Sequence, residues 1–234
     1  MKKIIVLILT LALCAATLSS CGLVNKIKGM FKSPLDDVAV MYSNSAPTKV
    51  TATTKQVFKS YELNCSYELV TGQVDGMTAS VYTVVTEEPE SLANAGGTDV
   101  VKPFIKTTTK KTEAIEGIGS RTNGGNWDPA GTAYALGRGT MAINLDKKSV
   151  TNVKYENHVL TFTIPNANIA TVLGSGFVDL IAGDVEVTIV DDGAVVTSIE
   201  LHYTAVGNEK ANVAESEMTI KVEYTYDIEQ ITIS

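Results

Sequence analysis

From residue 48 onward the apolar residues recur at every second position, and this period constrains the fold more than anything else in the chain. From Val57 to Thr71 the odd positions Val57, Tyr61, Leu63, Cys65, Tyr67 and Leu69 are mostly apolar. Ser60, Glu62, Asn64, Ser66 and Glu68 alternate with them. Strand side chains point to opposite faces in turn, so this stretch reads as one strand with a wet face and a dry one. A turn over Gly72 to Gly76, with the hairpin signal Asp75-Gly76, leads into Met77 to Thr86. Further on, Thr132–Leu136 faces Thr140–Leu145, Val150–Tyr155 faces Val159–Ile164, and Asp184–Val190 faces Ala194–Thr204. Met218 to Ile233 closes the series, with Met218, Ile220, Val222, Tyr224, Tyr226 and Ile228 on one face. Strands joined by such short turns pair antiparallel. The expected fold is mainly β, α+β at most: a curved antiparallel sheet or half-barrel with a few short helices.

Helical signals are few. Ser33 can cap, Pro34 suits the first helical position, and Asp36 and Asp37 favour the positive end of the dipole. They predict a helix over about 35–43 with Leu35, Val38 and Met41 or Tyr42 turned inward. Asn166 to Leu173 reads as a second short helix. Val100 to Thr109 is expected to be a strand that Pro103 confines to an edge or bulge. Glu113 to Glu116 reads as a helical turn, and 117–131 as a long loop carrying Trp127, the only tryptophan. Trp127 either anchors a ligand or partner at the surface or plugs one end of the core.

The amino terminus carries an address. Lys2 and Lys3 precede the apolar run Ile4–Leu18, which is shorter than the ~20 residues needed to cross a bilayer. Small residues then lead to a cysteine in Leu18-Ser19-Ser20-Cys21. The pattern resembles a bacterial lipoprotein signal with its lipobox. The resemblance implies cleavage before Cys21, lipidation of Cys21, and a body tethered to a membrane of the cell envelope on its extracytoplasmic side. Leu23, Ile27, Met30 and Phe31 share one helical face opposite Lys26, Lys28 and Lys32, so the segment after the anchor is either a basic turn lying in the headgroups or a plain tether. The expected organisation is a signal peptide over 1–20, an anchor with tether and short helix over 21–47, and an antiparallel β domain over 48–234.

Removing residues 1–20 takes Lys2 and Lys3 away, leaving 17 basic against 26 acidic residues, a formal −9. That balance argues against nucleic acid as a partner. Cys14 leaves with the signal and Cys21 becomes the anchor, so Cys65 has no partner for an internal disulfide. Catalytic signatures are absent: Gly174-Ser175-Gly176 lacks the spacing of a nucleophile elbow, and Gly117-Ile118-Gly119 and Gly137-Arg138-Gly139 each lack a third glycine. His158 occupies a tight turn and His202 lies on a polar strand face near Glu200, too few and too far apart for zinc. No enzyme, cofactor or metal site is expected.

The pattern after residue 48, clearest in Tyr155–Pro165 and Val222–Tyr226, is similar to that of lipoproteins of the LolA and LprG type. That resemblance implies a half-barrel sheet, lidded by helices, that holds a lipid or another hydrophobic ligand. This chain departs from it in having few segments able to form a lid, and the resemblance identifies no ligand residues. From the alternation itself, the residues expected to line such a face are Tyr61, Leu63, Tyr67, Leu69, Val222, Tyr224 and Tyr226; tyrosines among aliphatics suit an amphipathic ligand. The same residues would equally make an ordinary core. Two functions stand open: a membrane-anchored binder of a lipid or apolar molecule, or a packed structural, sensor or interaction module with a protein partner in the envelope.

Overall fold

The computed structural model describes residues 33–44, 47–89, 104–129, 143–207, 215–228 and 230–233. The signal peptide, Cys21, the tether Leu23–Lys32, the loop Ser91–Thr98 and the strand expected at 132–136 lie outside these residues.

The alternating stretches form one open sheet of ten strands, all pairs antiparallel. In chain order they are β1 (Lys49–Val57), β2 (Glu62–Val74), β3 (Met77–Pro89), β4 (Ile105–Ile115), β5 (Gly119–Thr122), β6 (Thr151–Glu156), β7 (Val159–Ile164), β8 (Ile181–Asp191), β9 (Val196–Ala205) and β10 (Ser216–Thr225). Their order across the sheet is β5-β4-β3-β2-β1-β10-β9-β8-β7-β6, so the first and last strands meet in the middle. The fold is mainly β, as the alternation requires.

Helix α1 (Pro34–Asn44) packs on the sheet against β7 and β9. The Asp36 carboxylate accepts a hydrogen bond from the Ser33 N–H, and the Ser33 carbonyl accepts from the Asp36 N–H. That reciprocal bonding fixes the start of the helix. Leu35 and Val38 are buried, with Met41 and Tyr42 packed against the core beside them. Asn166–Asn168 forms a single 3₁₀ turn that runs into α2 (Ile169–Val172), where one longer helix was expected.

The core lies on the face that α1 covers. Leu160, Phe162 and Ile164 of β7, Val185, Val187 and Ile189 of β8, Ile199 and Leu201 of β9, and Met218, Ile220 and Val222 of β10 all bury there. Burial of a side chain of this size contributes about 1.5–3 kcal/mol, which makes β7–β10 the anchor of the domain.

The structure corrects several local readings. Val57–Thr71 is not one strand, because a turn at 58–61 separates β1 from β2. Phe58 and Tyr61 stack across that turn with ring centroids 4.5 Å apart, and the Phe58 N–H donates to the Tyr61 carbonyl. The stretch Lys49–Val57 gave little signal because its core face carries Ala52, Thr54 and Gln56 after Val50. Glu113–Ile115 belongs to β4 and not to a helical turn; ladder bonds to Ala79–Val81 of β3 take its backbone. Within the expected 117–131 loop, β5 forms and pairs with Thr112–Ile115. Ile143–Leu145, expected to end a strand, is irregular, and the final strand stops at Thr225, well short of Ile233.

The turn expected over Gly72 to Gly76 is confined to Asp75-Gly76, because β2 runs on to Val74. Asp75-Gly76 and Asn157-His158 both hold positive φ at their two central residues, the mirror-image turn that matches strand twist.

Candidate functional site

Cross-strand register decides which of the expected lining residues come together. Val50 of β1 faces Tyr224 on one side and Leu69 on the other; Ala52 faces Val222 and Tyr67; Gln56 faces Met218 and Leu63. Leu63, Tyr67, Leu69, Val222 and Tyr224 therefore share the core face across β10, β1 and β2. Leu63, Leu69, Val222 and Tyr224 are buried, and Tyr67 is half-buried. Tyr226 follows the end of β10, half-buried, and its hydroxyl donates to the Val196 carbonyl. Tyr61 is engaged with Phe58 in the β1–β2 turn.

The same register adds residues that the alternation did not suggest. Tyr82 of β3 faces Leu69, and Val84 faces Tyr67, so it is the even positions of β3 that continue the core face. Ala79, Val81 and Val85, the more regular apolar set of that strand, point the other way. Tyr67 and Tyr82 meet edge to face at 4.8 Å, a favourable arrangement for two rings. Burial pushes the Tyr67 phenol well above its ordinary range, with Tyr82 adding to the effect, so both the ring and its hydroxyl stay neutral. Cys65, on the same face, has its thiol pushed up by burial, which makes it a poor nucleophile.

The face thus changes character along its width. From β10 to β7 it is completely buried under α1 and its own neighbours, while on β2 and β3 Cys65, Tyr67, Tyr82 and Val84 are only half-buried. Ser80 lies on this face of β3, 1% exposed, and its hydroxyl has no hydrogen-bond partner among the described residues. An unsatisfied buried hydroxyl costs about 1–3 kcal/mol.

Trp127 sits on the opposite face. Its ring is half-buried with the Arg121 guanidinium 4.9 Å from its centre. Arg121 pairs with Glu113 at 2.7 Å and Lys111 pairs with the same carboxylate at 2.8 Å, which satisfies a glutamate only 2% exposed. The segment is held down by mutual backbone bonds between Ser120 and Asp128.

Each histidine is engaged by neighbouring polar side chains. His158 Nδ1 lies 2.9 Å from Asp191 Oδ1, and the Tyr155 hydroxyl and the Gly193 N–H donate to the same buried carboxylate. This cluster ties β6 and two turns to the end of β8. His202 engages Thr219 and Glu217 across the strand pair rather than Glu200 on its own strand. Among the described residues no group of three or more His, Cys, Asp or Glu could hold a metal ion. Among the same residues no helix is long and apolar enough to cross a membrane.

No protein-family model matches the chain, and no curated protein matches it. Among solved structures it is similar to the crystal structure of LprF from Mycobacterium bovis, at 14% identity and a TM-score of 0.35, over 85% of this chain and 94% of that one. An overlap at that level leaves the reading of this chain to its own residues.

Proposed function

We propose that the chain is a membrane-anchored extracytoplasmic lipoprotein, held by a lipid on Cys21, whose β domain binds a lipid or another hydrophobic ligand without catalysis. The observation that carries the reading is the change along the core face. Complete burial on β7–β10 gives way to half-burial at Tyr67, Tyr82, Val84 and Cys65, where two tyrosines with apolar rings and polar hydroxyls among smaller apolar side chains suit an amphipathic guest. The address rests on the lipobox, and the membrane is the partner it implies.

A second reading has its own support. A core that Leu160, Ile189, Ile199 and Ile220 fill completely is what a packed interaction or sensor module of the envelope would have.

Mass spectrometry of the protein extracted from its membrane separates the two. A binder carries a non-covalent lipid in near-stoichiometric amount and exchanges it for an apolar fluorescent probe. Protein that emerges empty and leaves the probe unchanged is a packed module. The anchor is tested independently: Cys21→Ser is expected to abolish lipid labelling and move the protein out of the membrane fraction, and an unchanged fraction would refute the lipobox reading.

A further inference from the structure

The two faces of β1–β5 treat their basic residues differently. On the outer face every basic residue of these strands has an acidic partner: Lys49 with Glu68 at 2.6 Å, Lys55 with Glu62 at 2.9 Å, Lys111 with Glu113, and Arg121 with Glu113. The core face carries two basic residues, Lys106 and Lys110 of β4, and neither forms an ion pair among the described residues. Lys106 at least stands opposite Glu88 in the ladder; Lys110 stands opposite Val84. In a chain with more acidic than basic residues, an exposed cation set beside an apolar row is a departure from the pairing used on the outer face of these strands.

The ladder defines what lies beyond Lys110. Lys110 faces Val84, Val84 faces Tyr67, Tyr67 faces Ala52, and Ala52 faces Val222. Strands lie about 4.8 Å apart, so the row from Lys110 to Ala52 spans about 14 Å, the length of a dodecyl chain. Val84 and Tyr67 are half-buried, whereas Val222 and its neighbour Ile199 belong to the filled core. The row is therefore charged at one end, half-buried along its middle and closed at the other.

Resting on the binding function proposed above, we infer that this row takes a single-chain anionic amphiphile of the fatty carboxylate class, with its carboxylate on the Lys110 ammonium and its chain across Val84 and Tyr67 toward Ala52. The Tyr82 ring flanks the chain from the adjoining position. The ammonium gains a partner for its charge, and the chain covers side chains that the sheet leaves half-exposed.

Photo-crosslinking on the full chain in its own membrane tests this. The probes are dodecanoate and dodecanol, each with a diazirine on the chain, and labelled peptides are mapped by mass spectrometry. Dodecanoate is expected to label the peptides holding Tyr67 and Tyr82. Lys110→Glu should cut that labelling about tenfold, as expected for losing a charge-assisted bond and adding repulsion, while Lys110→Arg keeps it. Equal labelling by acid and alcohol, unchanged in Lys110→Glu, would overturn the head-group assignment and leave the apolar site standing. Dodecyl phosphate competing better than unlabelled dodecanoate would overturn the choice of carboxylate. Absence of label from both probes on these peptides would overturn this site, and only protein that also emerges free of lipid would remove the binding function.

Discussion

Gly119→Ala is the substitution with the most specific consequence. A Cβ built at Gly119 would lie 2.1 Å from the Asp128 carbonyl oxygen, and the residue holds φ at +124°. Backbone, unlike a long side chain, has little room to give, so the 123–128 segment must lift. Lifting breaks both backbone bonds between Ser120 and Asp128, at 3.0 and 2.7 Å, and parts Trp127 from Arg121. Two hydrogen bonds at about 1 kcal/mol each, a cation–π contact at about 0.5–1 and a strained φ at about 1–3 sum to roughly 4 kcal/mol. Gly117→Ala is the matched control, since Gly117 holds φ at +79° with nothing within 4 Å of its Cβ position. It should cost only about 1–2 kcal/mol. With a urea slope of about 2.5 kcal/mol per M, the midpoints should fall by about 1.5 M and about 0.5 M. Trp127, as the only tryptophan, reports directly: its emission should shift to the red in native Gly119→Ala and not in Gly117→Ala. If Gly119→Ala lowers the midpoint no further than Gly117→Ala, the carbonyl is not where this account puts it.

Other outcomes follow from the same geometry. Leu160→Ala, at a completely buried position in the middle of the core, should lose about 2–5 kcal/mol in urea denaturation, and a loss under 1 would contradict its place there. Ser80→Ala removes a buried hydroxyl with no partner and should leave ligand-free protein unchanged or about 1 kcal/mol more stable; clear destabilisation would mean the hydroxyl is bonded. Backbone N–H groups of Val195 and Ala194 hold the Asp192 carboxyl below its ordinary value. Its contribution is present above the unfolded pKa and fades as pH falls through the lower folded one. The midpoint gap between native protein and Asp192→Ala should therefore be full at pH 6 and shrink toward pH 3, and a gap independent of pH would refute the assignment.

Strand existence was legible wherever one face alternated strongly, as in Val159–Ile164 or Met218–Tyr224. Turns were legible where two residues had to take positive φ, as at Asp75-Gly76 and Asn157-His158. What failed had physical causes. Lys49–Val57 is a central strand with only Val50 fully buried on its core face, so periodicity was faint and tertiary pairing on both sides supplied the order. On β3 the apolar residues gather at odd positions, yet Ala79, Val81 and Val85 lie on the reverse face while Tyr82 and Val84, set among Thr78, Ser80, Thr86 and Glu88, meet Leu69 and Tyr67. Phase in such a strand is set by its neighbours. Leu63, Tyr67, Leu69, Val222 and Tyr224 share one face where alternation was strict, Tyr61 lies in the β1–β2 turn, and only register brings Tyr82, Val84 and Lys110 to that face.

Why the sheet should be so unevenly filled follows from its topology. β1 and β10, the first and last described strands, pair in the middle, so each half of the sheet is a contiguous meander. The half after residue 150 is topped by α1 and the short helical turns before β8, and its core closes. The half from β2 to β5 receives no described helix, yet the middle of its core face on β2 and β3 is apolar, unlike the ordinary uncovered face of an antiparallel sheet. Leu63, Tyr67, Leu69, Tyr82 and Val84 line it, while the ion pairs Lys49–Glu68 and Lys55–Glu62 lie on the reverse side and Lys106, Lys110 and Glu88 stand at the core face's β3–β4 margin. A strand sequence that puts its ion pairs on one face and tyrosines with aliphatics on the other has chosen which side is to be dry. On the proposal made above, an apolar guest completes on β2 and β3 what the closed half supplies for itself, and Lys110 at the margin sets the sign of its polar end.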